Sequence, residues 1–475
     1  MIGVRWAMRL VGLVSTIILA RLLAPEDFGL IAMVMLTYGL LETISYAGVD
    51  LALMRPGITG RDYYDTAWTV GIMQGLFMTV CLMLAAPLIA WYFNEPRALA
   101  VMLLTAPRAM IESLGNIGVV AFRKDLDFAK EFRFTLYNKL LNFVVVVGAA
   151  LVLRNYWALV FGSLVAAVVS VALTYRMHPY RPRLSMSRLR EIWSFSQWLM
   201  ISRIGSFLNR KCDEFVVGGF AGTTAMGNYH VANELATLPT SEIVMPIRRA
   251  MFPTLSKVAD DKQAFTDAVL SSFSTVAVIC LFLSFSLLVC APEVVALVLG
   301  AKWTDAVPLM RWMAVFGGFS ALLLVLEMPL WVAGRTNVSA AQTWIELALI
   351  VPATLLAVRS HGAEGAAAAR AGVALLMVPF MMALTARWGS VPFLRLLGAL
   401  WRPLVAAVLM ASAIHFMPLP AGMPAIVTLV IKGAACVVTY FVTLALLWLL
   451  AGQPVGLETQ ALGLVKTLLE RRRAG

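Results

Sequence analysis

Charge is scarce in this chain. Only 13% of its 475 residues are Asp, Glu, Lys or Arg, against about 25% in an average soluble domain. That scarcity excludes a disordered chain, a nucleic-acid-binding domain and an ordinary soluble enzyme. Histidine is scarce too: the four residues are dispersed, and no His-based metal site is visible. Five cysteines (Cys81, Cys212, Cys280, Cys290, Cys436) are scattered in or beside apolar runs, and none forms CxxC. They read as small core hydrophobes rather than disulfides or metal ligands. Walker A, HExxH, GxSxG and DxD motifs are all absent, and no loop is long enough for a catalytic domain. Asp260-Asp261 reads as a solvated turn. The expectation is a protein that is not an enzyme and not an ATP-driven pump, with no cofactor, no metal and no nucleic-acid partner.

What is abundant is apolar surface. Hydrophobic residues make up 61% of the chain and the mean hydropathy is +0.84. A membrane-crossing helix needs roughly 20 apolar residues. The sequence predicts fourteen such spans, at about 3–23, 28–54, 67–92, 98–121, 134–153, 155–176, 193–220, 224–252, 265–290, 308–333, 338–358, 362–385, 400–417 and 424–450. The fold class expected is therefore all-α, a polytopic integral membrane protein. The first run ends in ARLLAPEDFG without a clean small-x-small site, so it reads as a span rather than a cleaved signal. Of 38 Lys and Arg, 25 fall in one set of alternating loops and five in the other. By the positive-inside rule both termini are cytoplasmic.

The stretch HPYRPRLSMSRLREIW is the longest basic segment and reads as the joint between two halves. The expected organisation is an N-terminal lobe at 1–176 (helices 1–6), a basic cytoplasmic linker at 177–192, a C-terminal lobe at 193–385 (helices 7–12), an appended helix pair at 386–450, and an amphipathic cytoplasmic tail at 451–475. A faint internal echo supports the division. LLAPEDFGLIAM and FAGTTAMGNYHV each place a small turn before a glycine, Gly29 and Gly227, that opens a long, partly polar helix. Repeats of this kind are typical of transporters, which bind substrate near the bilayer midplane between the halves.

The informative residues are the charges inside spans. A mid-span charge costs about 2.5–3.5 kcal/mol on insertion scales, so such residues face the bundle interior or water. Span 7 carries Arg203, Arg210, Lys211, Asp213 and Glu214, with Arg203 and Arg210 seven apart on one face. Span 1 repeats this with Arg5 and Arg9. Span 2 has Glu42, Tyr46 and Asp50 on one face, and span 8 has His230 and Glu234 with Glu242 beside that face. Arginine suits phosphate because its planar fork donates two hydrogen bonds at once. Arg203, Arg210 and Lys211, with Arg9, are thus the candidate substrate-binding residues for an anion. Glu42, Asp50, Glu234 and Glu242 are candidates for a coupling cation, H⁺ or Na⁺. Arg108 and Glu112, four apart in span 4, are expected to pair.

ILARLLAPEDFGLIAM at 18–33 and APRAMIES at 106–113, followed by AFRKDLDFAKEFR, resemble the signature of bacterial polysaccharide transporters, the flippases of O-antigen and exopolysaccharide synthesis. RRAMFPTLSKV at 248–258 and PEVVALVLGAKWTDAVPLMRWMA at 292–314 continue it in family order. The family belongs to the superfamily of multidrug, oligosaccharidyl-lipid and polysaccharide exporters. The resemblance implies two six-helix lobes around a central cavity lined by helices 1, 2, 7 and 8, with two C-terminal helices appended. The implied activity moves an undecaprenyl-diphosphate-linked oligosaccharide from the cytoplasmic to the periplasmic face of the inner membrane by alternating access. Membrane lipids and the polysaccharide polymerase machinery are the implied partners. The rival readings are a drug/cation antiporter of the same superfamily, and a membrane enzyme or scaffold of glycan assembly.

Overall fold

The protein is seen in a computed structural model, which describes residues 2–452 apart from 47, 50–52, 55–59, 126 and 421. The tail expected to be amphipathic lies, from 453 onward, outside the described residues. The first half runs as α1 (Ile2–Leu22), α2 (Pro25–Ser45), α3 (Arg61–Tyr92), α4 (Arg97–Ser113), α5 (Phe128–Leu153) and α6 (Trp157–Met177). Then come α7 (Leu189–Ala221), α8 (Thr223–Lys257), α9 (Lys262–Val298) and α10 (Ala306–Val332). The stretch Thr336–Trp388 is broken by non-helical backbone at His361 and Gly362, so it counts as two helices, α11 (336–360) and α12 (363–388). α13 (Phe393–His415) and α14 (Ala425–Leu450) close the chain. The fold is all-helical and polytopic, as the apolar runs require.

Among the described residues, nine helical elements are long and apolar enough to cross a membrane, or ten if a bent pair is one span. Over its described residues, 203–221, α7 is not among them, and this is where the sequence concentrates charge. The bent pair corrects a predicted span. The sequence reads as one span at 98–121, yet the chain turns by 68° between Arg97–Ser113 and Ile117–Lys124. Asn116 holds that turn. Its side chain donates to the His178 carbonyl at 3.0 Å and the Tyr180 carbonyl at 2.7 Å, and accepts from the Gly118 amide at 2.9 Å. Asn116 is 1% exposed, so alanine would strand the Gly118 amide, while Arg181 Nη1 still donates to the His178 and Tyr180 carbonyls at 3.1 and 2.9 Å. The expected loss is about 1–3 kcal/mol of stability, the cost of one orphaned buried group. A lower melting temperature of the purified Asn116→Ala variant checks this.

By packing, the chain divides into two compact units, Met1–His230 and Val231–Gly475. The division falls inside α8, beyond the basic linker. A physical reason is visible at the linker itself. Asp65, buried at the start of α3, accepts from the Tyr180 hydroxyl at 2.7 Å and the Arg183 amide at 2.8 Å. Arg61 donates to the Arg181 carbonyl at 2.9 Å. Burial, reinforced by that bond to Asp65, pushes the Tyr180 phenol up. The linker is thus strapped to α3 and to the turn after α4, and α7 follows it into the first unit, packing on α2.

Within the first unit α1 packs on α5, α5 on α6, and α2 on α3. Gly75 explains the close approach of α3 and α4, because a Cβ there would lie 2.4 Å from Ser113 Oγ. One core cluster joins Leu30, Val34 and Tyr38 of α2 to Leu82, Val101 and Met102. In the second unit α9 packs on α10, α13 and α14, and α10 packs on the α11–α12 stretch. Tyr440 is fully buried and donates to the Val278 carbonyl at 2.8 Å. Arg248 pairs with Glu327 at 3.2 Å, and Ser339 donates to the same carboxylate. The described cysteines are all free.

Candidate functional site: a two-arginine face on α7 and a glycine crossing

The polar stripes of α2 and α7 meet. The Arg203 guanidinium lies 3.6 Å from the centre of the Tyr46 ring, which sits just past the end of α2. A cation over an aromatic face at this distance is an attractive contact, stronger where water is thinned. Close packing brings the two helices together: a Cβ on Gly39 would be 3.1 Å from Phe207 of α7. Both Arg203 and Arg210 are exposed and lie within Coulombic reach of one another. Seven residues separate them, a rise of about 10 Å along one face, so a single multivalent anion can engage both.

Glu42 is exposed on α2, within Coulombic reach of Arg203, Arg108 and Glu112. Arg108 pairs with Glu112 at 2.8 Å, as the spacing predicts, and Tyr38 donates to Glu112 at 3.3 Å. Arg9 is exposed on α1. Asp50 lies outside the described residues. Glu234 and Glu242 belong to the second unit, the first exposed and the second 5% exposed. The structure therefore brings Arg203, Arg210 and Glu42 into one neighbourhood.

Lys211 is engaged differently. Its ammonium is 2.5 Å from Glu214 Oε1, and Glu214 Oε2 is 3.2 Å from His230 Nδ1. Glu214 is fully buried, as is Asp213, which accepts from the Tyr229 hydroxyl at 2.5 Å. Two carboxylates thus stitch α7 to the first turns of α8. The i,i+3 spacing of Lys211 and Glu214 was a visible signal for the first pair. Nothing local announced the link to His230 or Tyr229.

At one end of the first unit the starts of α2 and α8 cross backbone to backbone. A Cβ on Gly29 would stand 1.8 Å from the Thr223 carbonyl oxygen, and one on Gly227 would stand 1.8 Å from that of Pro25. The two glycines that mark the sequence echo are each other's contact. Side chains lock the same end. Asp27 caps α2 by accepting from the Ala24 amide at 2.9 Å and takes the Tyr156 amide at 3.1 Å. Glu95 accepts both from Arg97, at 2.8 and 2.9 Å, and from the Thr223 hydroxyl at 2.8 Å. The Arg97 grip holds the Glu95 carboxyl at about 2 against the opposing pull of burial. A carboxyl lowered on folding stabilises fully above its ordinary range, and that contribution fades only as pH falls from about 5 toward 2. The lock is therefore insensitive to pH near neutrality. Gly222, at φ +84°, permits the reversal from α7 into α8.

Among the described residues no group of three or more His, Cys, Asp or Glu is placed to hold a metal. A many-helix membrane bundle with charged stripes on α2 and α7 belongs to the class of multi-pass transporter folds. The solved lipid II flippase MurJ, in an inward closed conformation, is similar in fold with a TM-score of 0.75 at 13% identity, over 94% of this chain and 98% of that one. An inward-facing multidrug resistance transporter of the MATE family is similar at 0.63 and 14% identity, over 81% of this chain and 96% of that one. A model of the family described as polysaccharide biosynthesis protein matches residues 18–308, more than half of the sequence, and the chain belongs to that family. The succinoglycan biosynthesis transport protein ExoT of Rhizobium meliloti is 24% identical over 85% of this chain and 82% of its own length. The lipopolysaccharide biosynthesis protein WzxC of Escherichia coli is 23% identical over 74% of this chain and 73% of its own.

Proposed function

We propose that this chain is a flippase that carries an undecaprenyl-diphosphate-linked oligosaccharide from the cytoplasmic to the periplasmic face of the inner membrane. The product feeds O-antigen, capsule or exopolysaccharide synthesis, and the polymerase machinery receives it. Family membership and the transport protein among its relatives support the reading. The observation that carries it is the Arg203–Arg210 face, two exposed guanidinium groups on one side of α7. A diphosphate offers the oxygens that such forks bind in pairs. A drug/cation carrier of similar fold would want an acidic, aromatic lining instead.

In this reading two lobes, divided at 177–192, alternate access to a cavity that helices α1, α2, α7 and α8 line. Arg203 and Arg210 hold the diphosphate, with Arg9 near the start of α1 and Lys211 through the Glu214 cluster. Glu42, Asp50, Glu234 and Glu242 are the groups for a coupling H⁺ or Na⁺. The protein acts as a carrier rather than a catalyst, and the loop charges put both termini in the cytoplasm.

Deletion of the protein, with lipid-linked intermediates separated by membrane face, tests this. The expected result is undecaprenyl-diphosphate oligosaccharide accumulating on the cytoplasmic face, with surface glycan lost. Unchanged intermediates with altered drug tolerance would move the antiporter forward. Intermediates that reach the periplasmic face unpolymerised would favour an enzyme or scaffold.

A further inference from the structure

The second unit holds a cavity of about 650 Å³ where α9, α10, α13 and α14 meet, beside the α13–α14 connection. Each of the four helices contributes one titratable side chain to it: Glu293, Arg311, His415 and Lys432. Lys432 donates to Glu293 Oε1 at 2.6 Å, and the two side chains are 17% and 12% exposed. That bond satisfies one carboxylate oxygen. The other, Oε2, is buried and receives no hydrogen bond from a described residue. A carboxylate accepts up to about four hydrogen bonds, so the lysine leaves the group with capacity for a further N–H or O–H. Arg311 supplies the complementary need. It is exposed, and no described residue pairs with it. An unspent guanidinium calls for an anionic oxygen. The connection at 416–424, FMPLPAGMP, carries no charge, and Phe416 at the cavity rim is 81% exposed. Exposed apolar side chains around a polar cavity fit the membrane–water boundary, where an amphiphile is half wet and half dry.

We propose that this cavity binds the headgroup of a bilayer phospholipid, its phosphate on Arg311 and a headgroup N–H or O–H on the Glu293 carboxylate. The inference does not depend on what the chain transports. It assigns a resident lipid to the appended helices and makes that lipid part of their packing against α9 and α10.

Native mass spectrometry of the full-length purified protein tests it, with phosphatidylethanolamine, phosphatidylglycerol and phosphatidylcholine of matched acyl chains as probes. The first two carry a phosphate and a donor; the third carries a phosphate and none. Retention of ethanolamine and glycerol lipids about tenfold above choline lipid is expected, the value of one charge-assisted bond. Arg311→Ala should lower binding of all three by about tenfold. Glu293→Gln should erase the preference while choline lipid still binds. Equal retention of the three lipids by the native chain overturns the proposal, as does undiminished binding by Arg311→Ala. Displacement of lipid by an equal concentration of inorganic phosphate would mean a plain anion site and also overturns it. If either variant cannot be purified, the comparison of lipids on the native chain decides alone.

Discussion

Alanine at Gly29 or at Gly227 is expected to abolish transport, whereas alanine at Gly71, Gly148 or Gly372 leaves it intact. All five changes add one methyl group to a glycine in a helix. They differ in what the methyl meets. At Gly71, Gly148 and Gly372 nothing lies within 4 Å, while at Gly29 and Gly227 the methyl falls 1.8 Å from a backbone oxygen. Real Cβ atoms essentially never come within 3.0 Å, so α2 and the start of α8 must part by more than an ångström. No rotamer change relieves the clash, because both partners are main chain. Overpacking of this kind costs about 1–3 kcal/mol or more. The open sites should gain slightly, since alanine favours helix over glycine by about 1 kcal/mol. The measurement is surface polysaccharide in a complemented deletion strain, with membrane protein level as the control. Normal export by a stably inserted Gly227→Ala variant would remove the crossing from the transport cycle.

Arg203→Ala and Arg210→Ala are expected to be the second large losses, with a different signature. Each removes a charge-assisted contact worth about 1.5–3 kcal/mol, or roughly 10–100-fold in binding. Folding should hold, because both side chains are exposed. Lysine at either position keeps the charge but not the fork, so partial activity should return. Lys211→Ala should behave otherwise. It strips one partner from the fully buried Glu214, which keeps His230, and losing a hydrogen bond to a charged group costs about 1.5–3 kcal/mol. Its loss should appear as reduced protein in the membrane, with binding affected only in proportion. Transport assays normalised to inserted protein separate the two behaviours. Equal normalised activity for Arg210→Ala and the native chain would dismiss the two-arginine face.

The helices were legible in the sequence because a lipid solvent demands long apolar runs, and length alone identifies them. Turns were harder. The kink after Ser113 falls at a short polar stretch, Glu112-Ser113-Leu114-Gly115-Asn116, and what fixes its geometry is Asn116 bonding to residues 178 and 180. No local pattern encodes a partner more than 60 positions away. The site was half legible for the same reason. Arg203 and Arg210 stand out as charges that must have a purpose, and Gly29 and Gly227 stand out as a repeated pattern. That Arg203 meets Tyr46, that the glycines meet each other, and that Glu95 joins Thr223 all depend on tertiary packing.

The Lys211–Glu214–His230 and Asp213–Tyr229 contacts also constrain how the chain is made. α7 carries five charged residues between positions 203 and 214, and over its described residues it does not qualify as a span by composition. At about 2.5–3.5 kcal/mol for each mid-helix charge, it would be rejected if offered to the bilayer alone during synthesis. Paired with the first turns of α8, its two carboxylates arrive already bonded. Insertion of the two helices together, as a hairpin, is the expected order, since the tyrosine and histidine of the second satisfy the carboxylates of the first. Insertion order, and not only transport, is written into the same handful of side chains.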